Sequence, residues 1–124
     1  MKPGVYDLEI YQGDTFRRTL RLRQRVLDTD GVTWISGAYI PLTGYTGAAQ
    51  VRETKIATDV TATMTVTVLD QTITPGGVTL YMPASATSLI TKDQVWDLQL
   101  TAPNGDVTTF LAGAVTLVQE VTRL

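Results

Sequence analysis

Residues 94–124, QVWDLQLTAPNGDVTTFLAGAVTLVQEVTRL, read as two long strands joined at Pro103-Asn104-Gly105-Asp106. Asn-Gly supplies the positive φ angles of a tight hairpin, and Pro103 ends the first strand. On the first arm Trp96, Leu98 and Leu100 alternate with Val95, Asp97, Gln99 and Thr101. On the second, a period of two places Val107, Thr109, Leu111, Gly113, Val115, Leu117 and Gln119 on one face. Two strands with one apolar face are not stable alone in water, so the rest of the chain must cover them.

The preceding residues supply the cover. Residues 6–11 alternate, with Tyr6, Leu8 and Ile10 against Asp7, Glu9 and Tyr11, and predict a first strand. After a turn at residues 12–15, Phe16, Leu20 and Leu22 mark the apolar face of a second strand. Its other face carries Arg17, Thr19, Arg21, Arg23 and Arg25, while Arg18 falls on the apolar side. Residues 28–31 predict a turn, residues 32–35 a short strand, and residues 37–47 a loop with Pro41 and three glycines. Strand character returns over residues 45–53. In residues 61–69, Ala62, Met64, Val66 and Val68 oppose Thr61, Thr63, Thr65 and Thr67. β-branched threonine suits such a pleated outer face. Residues 78–82 predict another strand, and residues 84–92 one or two helical turns that carry the chain between sheets. Short strands spaced by about 8–12 residues, with Gly/Pro turns, predict an all-β sandwich in a single domain over residues 1–124. The expected core includes Leu20, Leu22, Met64, Val66, Leu98, Leu100, Leu111, Val115 and Leu117.

Composition narrows the chemistry. The chain of 124 residues has no cysteine and no histidine. The first absence removes thiol catalysis, thiolate metal sites and disulfides, and fits folding in a reducing cytoplasm. The second removes the commonest general base and metal ligand. Ser36, Ser85 and Ser88 therefore lack a base, and no Ser-x-x-Lys spacing exists. Residues 28–31, Asp-Thr-Asp-Gly, depart from a calcium loop, since the twelfth residue from Asp28 is Tyr39 rather than Glu. Gly37, Gly44 and Gly47 are not followed by the Gly-Lys-Ser/Thr of a phosphate cradle. No enzyme activity, cofactor or metal is expected. The net charge is −2, which argues against nucleic-acid or anionic-membrane binding. The first ten residues, MKPGVYDLEI, lack the apolar run of a secretory signal. No apolar run approaches the roughly 18 residues of a membrane span.

One charge feature has a direction. Arg17, Arg21, Arg23 and Arg25 share a side of a regular strand. They form either a solvated face that discourages strand addition or a docking surface for an acidic partner. Tyr39 and Tyr45 join them as candidate interface residues, because tyrosine is large and amphipathic.

Taken in order, the segments IYQGDTFRRTLRL, PLTGYTGAAQVRE, GVTLYMPASATSLI and WDLQLTAPNGDVTTFLAGAVTLVQEVTR resemble small virion proteins of tailed bacteriophages and prophages. They also resemble the N-terminal attachment modules of baseplate and tail-fibre proteins. The resemblance implies an immunoglobulin-like antiparallel β-sandwich with one short helical crossover, serving assembly rather than catalysis. It implies a tail or baseplate component that joins the tail to fibres. Such a protein is made in the host cytoplasm, placed in the virion, and contacts other virion proteins as a homo-oligomer in a symmetric assembly. A head-decorating or head–tail joining protein of similar fold, or a carbohydrate-binding module, is the alternative.

Overall fold

The computed structural model describes residues 3–27, 31 and 34–121. The strands are β1 Gly4–Val5, β2 Leu8–Tyr11, β3 Phe16–Arg21, β4 Arg23–Leu27, β5 Trp34–Tyr39, β6 Thr46–Arg52, β7 Ala62–Val68, β8 Gly77–Met82, β9 Gln94–Thr101 and β10 Val107–Val118. A single helical turn, α1 Ala84–Thr87, connects β8 to β9.

The architecture is an all-β sandwich. One sheet runs β10-β9-β6-β7 and continues through β8 to β3. The turn of the corner lies within β7: Ala62 and Met64 pair with β6, whereas Thr65 to Val68 pair with β8. A strand that changes partners midway lets one ladder form both layers of a sandwich. α1 is the predicted helical crossover, and it carries the chain from β8 in one layer to β9 in the other.

Between the layers lies a core that includes Leu8, Ile10, Leu42, Val51, Met64, Val78, Leu80, Met82, Ile90, Leu98, Leu100 and Val115, all nearly inaccessible. Of the expected core, Leu20, Leu22, Met64, Leu98, Leu100 and Val115 are buried, while Val66, Leu111 and Leu117 are partly buried against it.

Three features depart from simple alternation. First, the β9–β10 turn is not the mirror-image turn that Asn-Gly suggests. Gly105 alone takes a positive φ, 96°, and its N–H donates to the Ala102 carbonyl at 2.9 Å. Pro103 thus occupies the second position of the turn, which its fixed φ suits, and Gly105 closes it with a left-handed residue.

Second, β10 contains a bulge between Thr109 and Leu111. The extra residue, Phe110, shifts the face by one. Val107 and Thr109 therefore do not share the face of Leu111, Gly113 and Val115, and Val107 is exposed.

Third, of the predicted first strand at residues 6–11 only Leu8–Tyr11 forms a strand, a separate β1 precedes it at Gly4–Val5, and both lie parallel to β10. Gly4 pairs with Leu111 and Val5 with Ala112; Leu8 then pairs with Val115 and Ile10 with Leu117. Between them Tyr6 and Asp7 have no paired residue on β10, although the Tyr6 N–H still donates to the Ala112 carbonyl at 3.0 Å. The Tyr6 carbonyl accepts from Trp96 Nε1 at 2.8 Å, and Asp7 Oδ1 accepts from the Ala114 N–H at 2.9 Å. A side-chain carboxylate thus replaces the missing backbone acceptor, which keeps the β10 donor satisfied.

Loops close the end near β8. Gln71 Oε1 accepts from the backbone N–H groups of Leu42 (3.1 Å) and Gly76 (2.8 Å), and its Nε2 donates to the Leu69 carbonyl at 2.7 Å. Beside it, the Thr72 hydroxyl and backbone N–H donate to Asp70, holding that exposed carboxyl below its ordinary value.

Candidate functional site

The arginine stripe is built on an edge. β3 ends the β7-β8-β3 layer, pairing antiparallel with β8 from Phe16↔Met82 to Arg21↔Gly77. Its pattern of Phe16 and Leu20 buried, Arg17, Thr19 and Arg21 exposed, follows from strand alternation. At Leu22 the ladder changes partner. The Leu22 N–H donates to the Gly76 carbonyl at 2.7 Å, and its own carbonyl accepts from Ile40 at 2.9 Å. β4 then pairs with β5, with Arg23 opposite Tyr39. Because Leu22 is buried, alternation continues across the break, and Arg21 and Arg23 stay on one side.

Tyrosines organise these arginines. The Arg17 guanidinium lies 4.7 Å from the ring centre of Tyr81, its cross-strand partner. Arg21 lies 3.7 Å and Arg23 4.7 Å from the ring centre of Tyr39. Arg21 Nε donates to the Pro75 carbonyl at 3.2 Å, and Arg23 Nε to the Gly37 carbonyl at 3.0 Å. An exposed cation–π contact is worth about 0.5–1 kcal/mol. A net hydrogen bond adds roughly 0.5–1.5 kcal/mol. Together they offset much of the roughly 2 kcal/mol of rotamer entropy an arginine carries. Arg21 and Arg23 are therefore pre-positioned, with Nε spent on backbone. Their terminal N–H groups have no carboxylate within ion-pair distance among the described residues, where the ion pair formed is Lys92–Glu53 at 3.1 Å. β3, β7 and β8 contain no Asp or Glu to neutralise the face.

The other candidates divide. Arg25 has its backbone paired with Ser36, and its side chain lies outside the described ones. Of the turn expected at residues 28–31, residues 28–30 lie outside the described ones, and Gly31 takes a positive φ of 74°. Tyr45 is separate from the cluster: it packs against the core as a partly buried residue. Tyr39 belongs not to a loop but to the end of β5, which is how it reaches Arg21. Arg18, on the inner face, is half-buried and its Nη1 donates to the Tyr6 hydroxyl at 2.9 Å, tying the β3 edge to the β1–β2 edge. Tyr81 joins the arginines as the cross-strand neighbour of Arg17. Its role depends on the β3–β8 register, which no local pattern encodes.

A concavity of about 760 Å³ lies on the outer face of β6, β9 and β10. Gln50 and Asp97 face each other there across the ladder, beside Gln99 and Arg52. Arg52 is committed to the structure: it donates to the Ala57 and Thr58 carbonyls and to Gln50 Oε1, each at 2.9 Å. Trp96 is only 3% exposed with its indole N–H on Tyr6, so it offers no stacking platform. Among the described residues no group of three or more Asp or Glu side chains is placed to hold a metal ion.

Fold and face together define an all-β sandwich whose arginine–tyrosine surface at one sheet edge has no carboxylate partner among the described residues. Compared with models of protein families the chain matches none, and compared with curated proteins it has no match.

Proposed function

We propose that this chain is a non-catalytic structural protein that works through protein–protein contacts made by its arginine–tyrosine face. The observation that carries the reading is the pre-positioned pair Arg21 and Arg23 on Tyr39, without a carboxylate partner among the described residues. Guanidinium groups held on a ring, with Nε bonded to backbone and the terminal donors left over, suit paired bonds to a carboxylate. The partner surface is acidic protein. Segment order supports the more specific reading: a tail or baseplate component of a tailed bacteriophage that joins tail to fibres, in several copies related by symmetry. A head-decorating or head–tail joining role uses the same face. The concavity around Gln50, Asp97 and Gln99 is where a glycan lies if the chain is instead a carbohydrate-binding module. Without an exposed aromatic there, that reading has hydrogen bonds but little stacking to draw on, and a glycan array tests it.

Reversing Arg21 and Arg23 to Glu tests the docking face. Both side chains are exposed, so the isolated fold should survive with a loss of at most about 1–2 kcal/mol from stacking and hydrogen bonds. Assembly should fail, because like charges then oppose the acidic partner. The measurement is particle yield and fibre occupancy with the double variant, beside a melting curve of the free protein. Normal particles with normal occupancy would reduce the stripe to a solvated face.

A further inference from the structure

The two outer edges of the sandwich differ in charge. On the layer ending in β3, the outward residues Arg17, Thr19 and Arg21 have no acidic neighbour on β7 or β8. On the opposite layer the outermost strand is β2, paired with β10 on one side. Leu8 and Ile10 point into the core, so Glu9 and Tyr11 point out, and Tyr11 is 53% exposed. Exposed Asp7 and Asp14 flank them. Asp7 is committed to the Ala114 N–H, which leaves Glu9 and Asp14 as carboxylates with no side-chain partner among the described residues. Each edge thus combines charge with tyrosine: Arg with Tyr39 and Tyr81 on one, Glu with Tyr11 on the other.

We infer that the arginine face at the β3 edge of one copy docks on the acidic β2 edge of a second copy of this chain. The inference rests on the docking role proposed above and names the partner. The two patches are different surfaces, so the contact is head-to-tail, and it propagates into a ring or filament instead of stopping at a dimer. Its attraction is between exposed charges, so salt weakens it.

Sedimentation of the full chain over a range of concentrations, at low and high ionic strength, tests this. The wild-type chain should form species larger than dimers at low salt and dissociate at high salt. Arg17→Glu with Arg21→Glu blocks one patch; Glu9→Arg with Asp14→Arg blocks the other. Each variant alone should associate at least about tenfold more weakly. Mixed, they should associate again, since each retains the patch the other lacks and the two reversed patches are opposite in charge. If a reversal unfolds the chain, Arg21→Gln and Glu9→Gln serve, with the same direction and smaller size. A wild-type chain that stays monomeric, variants that keep the wild-type association, or a mixture that does not pair each overturns the inference. Monomeric wild type together with failed assembly of the Arg21→Glu, Arg23→Glu particles would leave the docking role intact and assign the arginines to a different protein.

Discussion

Leu98→Ala lowers the unfolding free energy by roughly 2–5 kcal/mol, the lost transfer energy of the side chain plus the cavity left behind. Leu98 is fully buried in β9, which is flanked by β6 and β10. Its neighbours in the ladder are Ala49 and Leu111. Ala49 is too short to fill the space, and hydrogen bonding on both edges of β9 prevents the strand from collapsing inward. The upper part of the range is therefore expected. Denaturant unfolding should show a lower midpoint with an unchanged slope. A loss under about 1 kcal/mol would mean that the site relaxes and that the core is not organised around this strand.

Gly113→Ala should cost a similar amount, roughly 2–5 kcal/mol, for a different reason. A Cβ there would lie 2.7 Å from the Tyr6 carbonyl carbon, closer still to its oxygen, and 2.8 Å from Asp7 Oδ1. The backbone angle is not the obstacle, since Gly113 is not among the positive-φ glycines. The obstacle is the N-terminal segment crossing β10 at this point. Pushing Tyr6 away breaks the bond to Trp96 Nε1 and leaves a buried indole N–H without its acceptor. Hydrogen exchange at the Trp96 indole reads the effect directly, and the variant should exchange faster than its global stability alone explains. Unchanged protection of that proton would show that the Tyr6 crossing moves aside without cost.

What was legible in the chain was the strand content, because alternation is written residue by residue. Trp96, Leu98 and Leu100, and likewise Ala62 and Met64, point inward as their spacing predicts. The arginines of β3 point outward for the same reason. Features set by distant pairing were not legible. Leu42 is fully buried although Pro41 and nearby glycines mark a loop, because Gln71, from a distant turn, holds its backbone. The bulge at Phe110 left no local sign in a run that alternates plausibly in either register. The parallel placement of β1 and β2 beside β10 joins opposite ends of the chain, which alternation alone does not specify. In the site, Arg21 and Arg23 were visible as a stripe. The ring that gathers them required the β4–β5 pairing, and the Tyr81 partner of Arg17 required the β3–β8 register.

The proposed docking role requires the arginine–tyrosine face to meet an acidic protein surface in an assembled particle. Electron microscopy of intact particles purified from cells that make this chain tests it. If the proposal holds, density for the sandwich lies in the tail or baseplate, in symmetry-related copies, with Arg17, Arg21, Arg23 and Tyr39 buried against carboxylates of a neighbour. Particles that lack the chain, or that hold it with this face open to solvent, would contradict it.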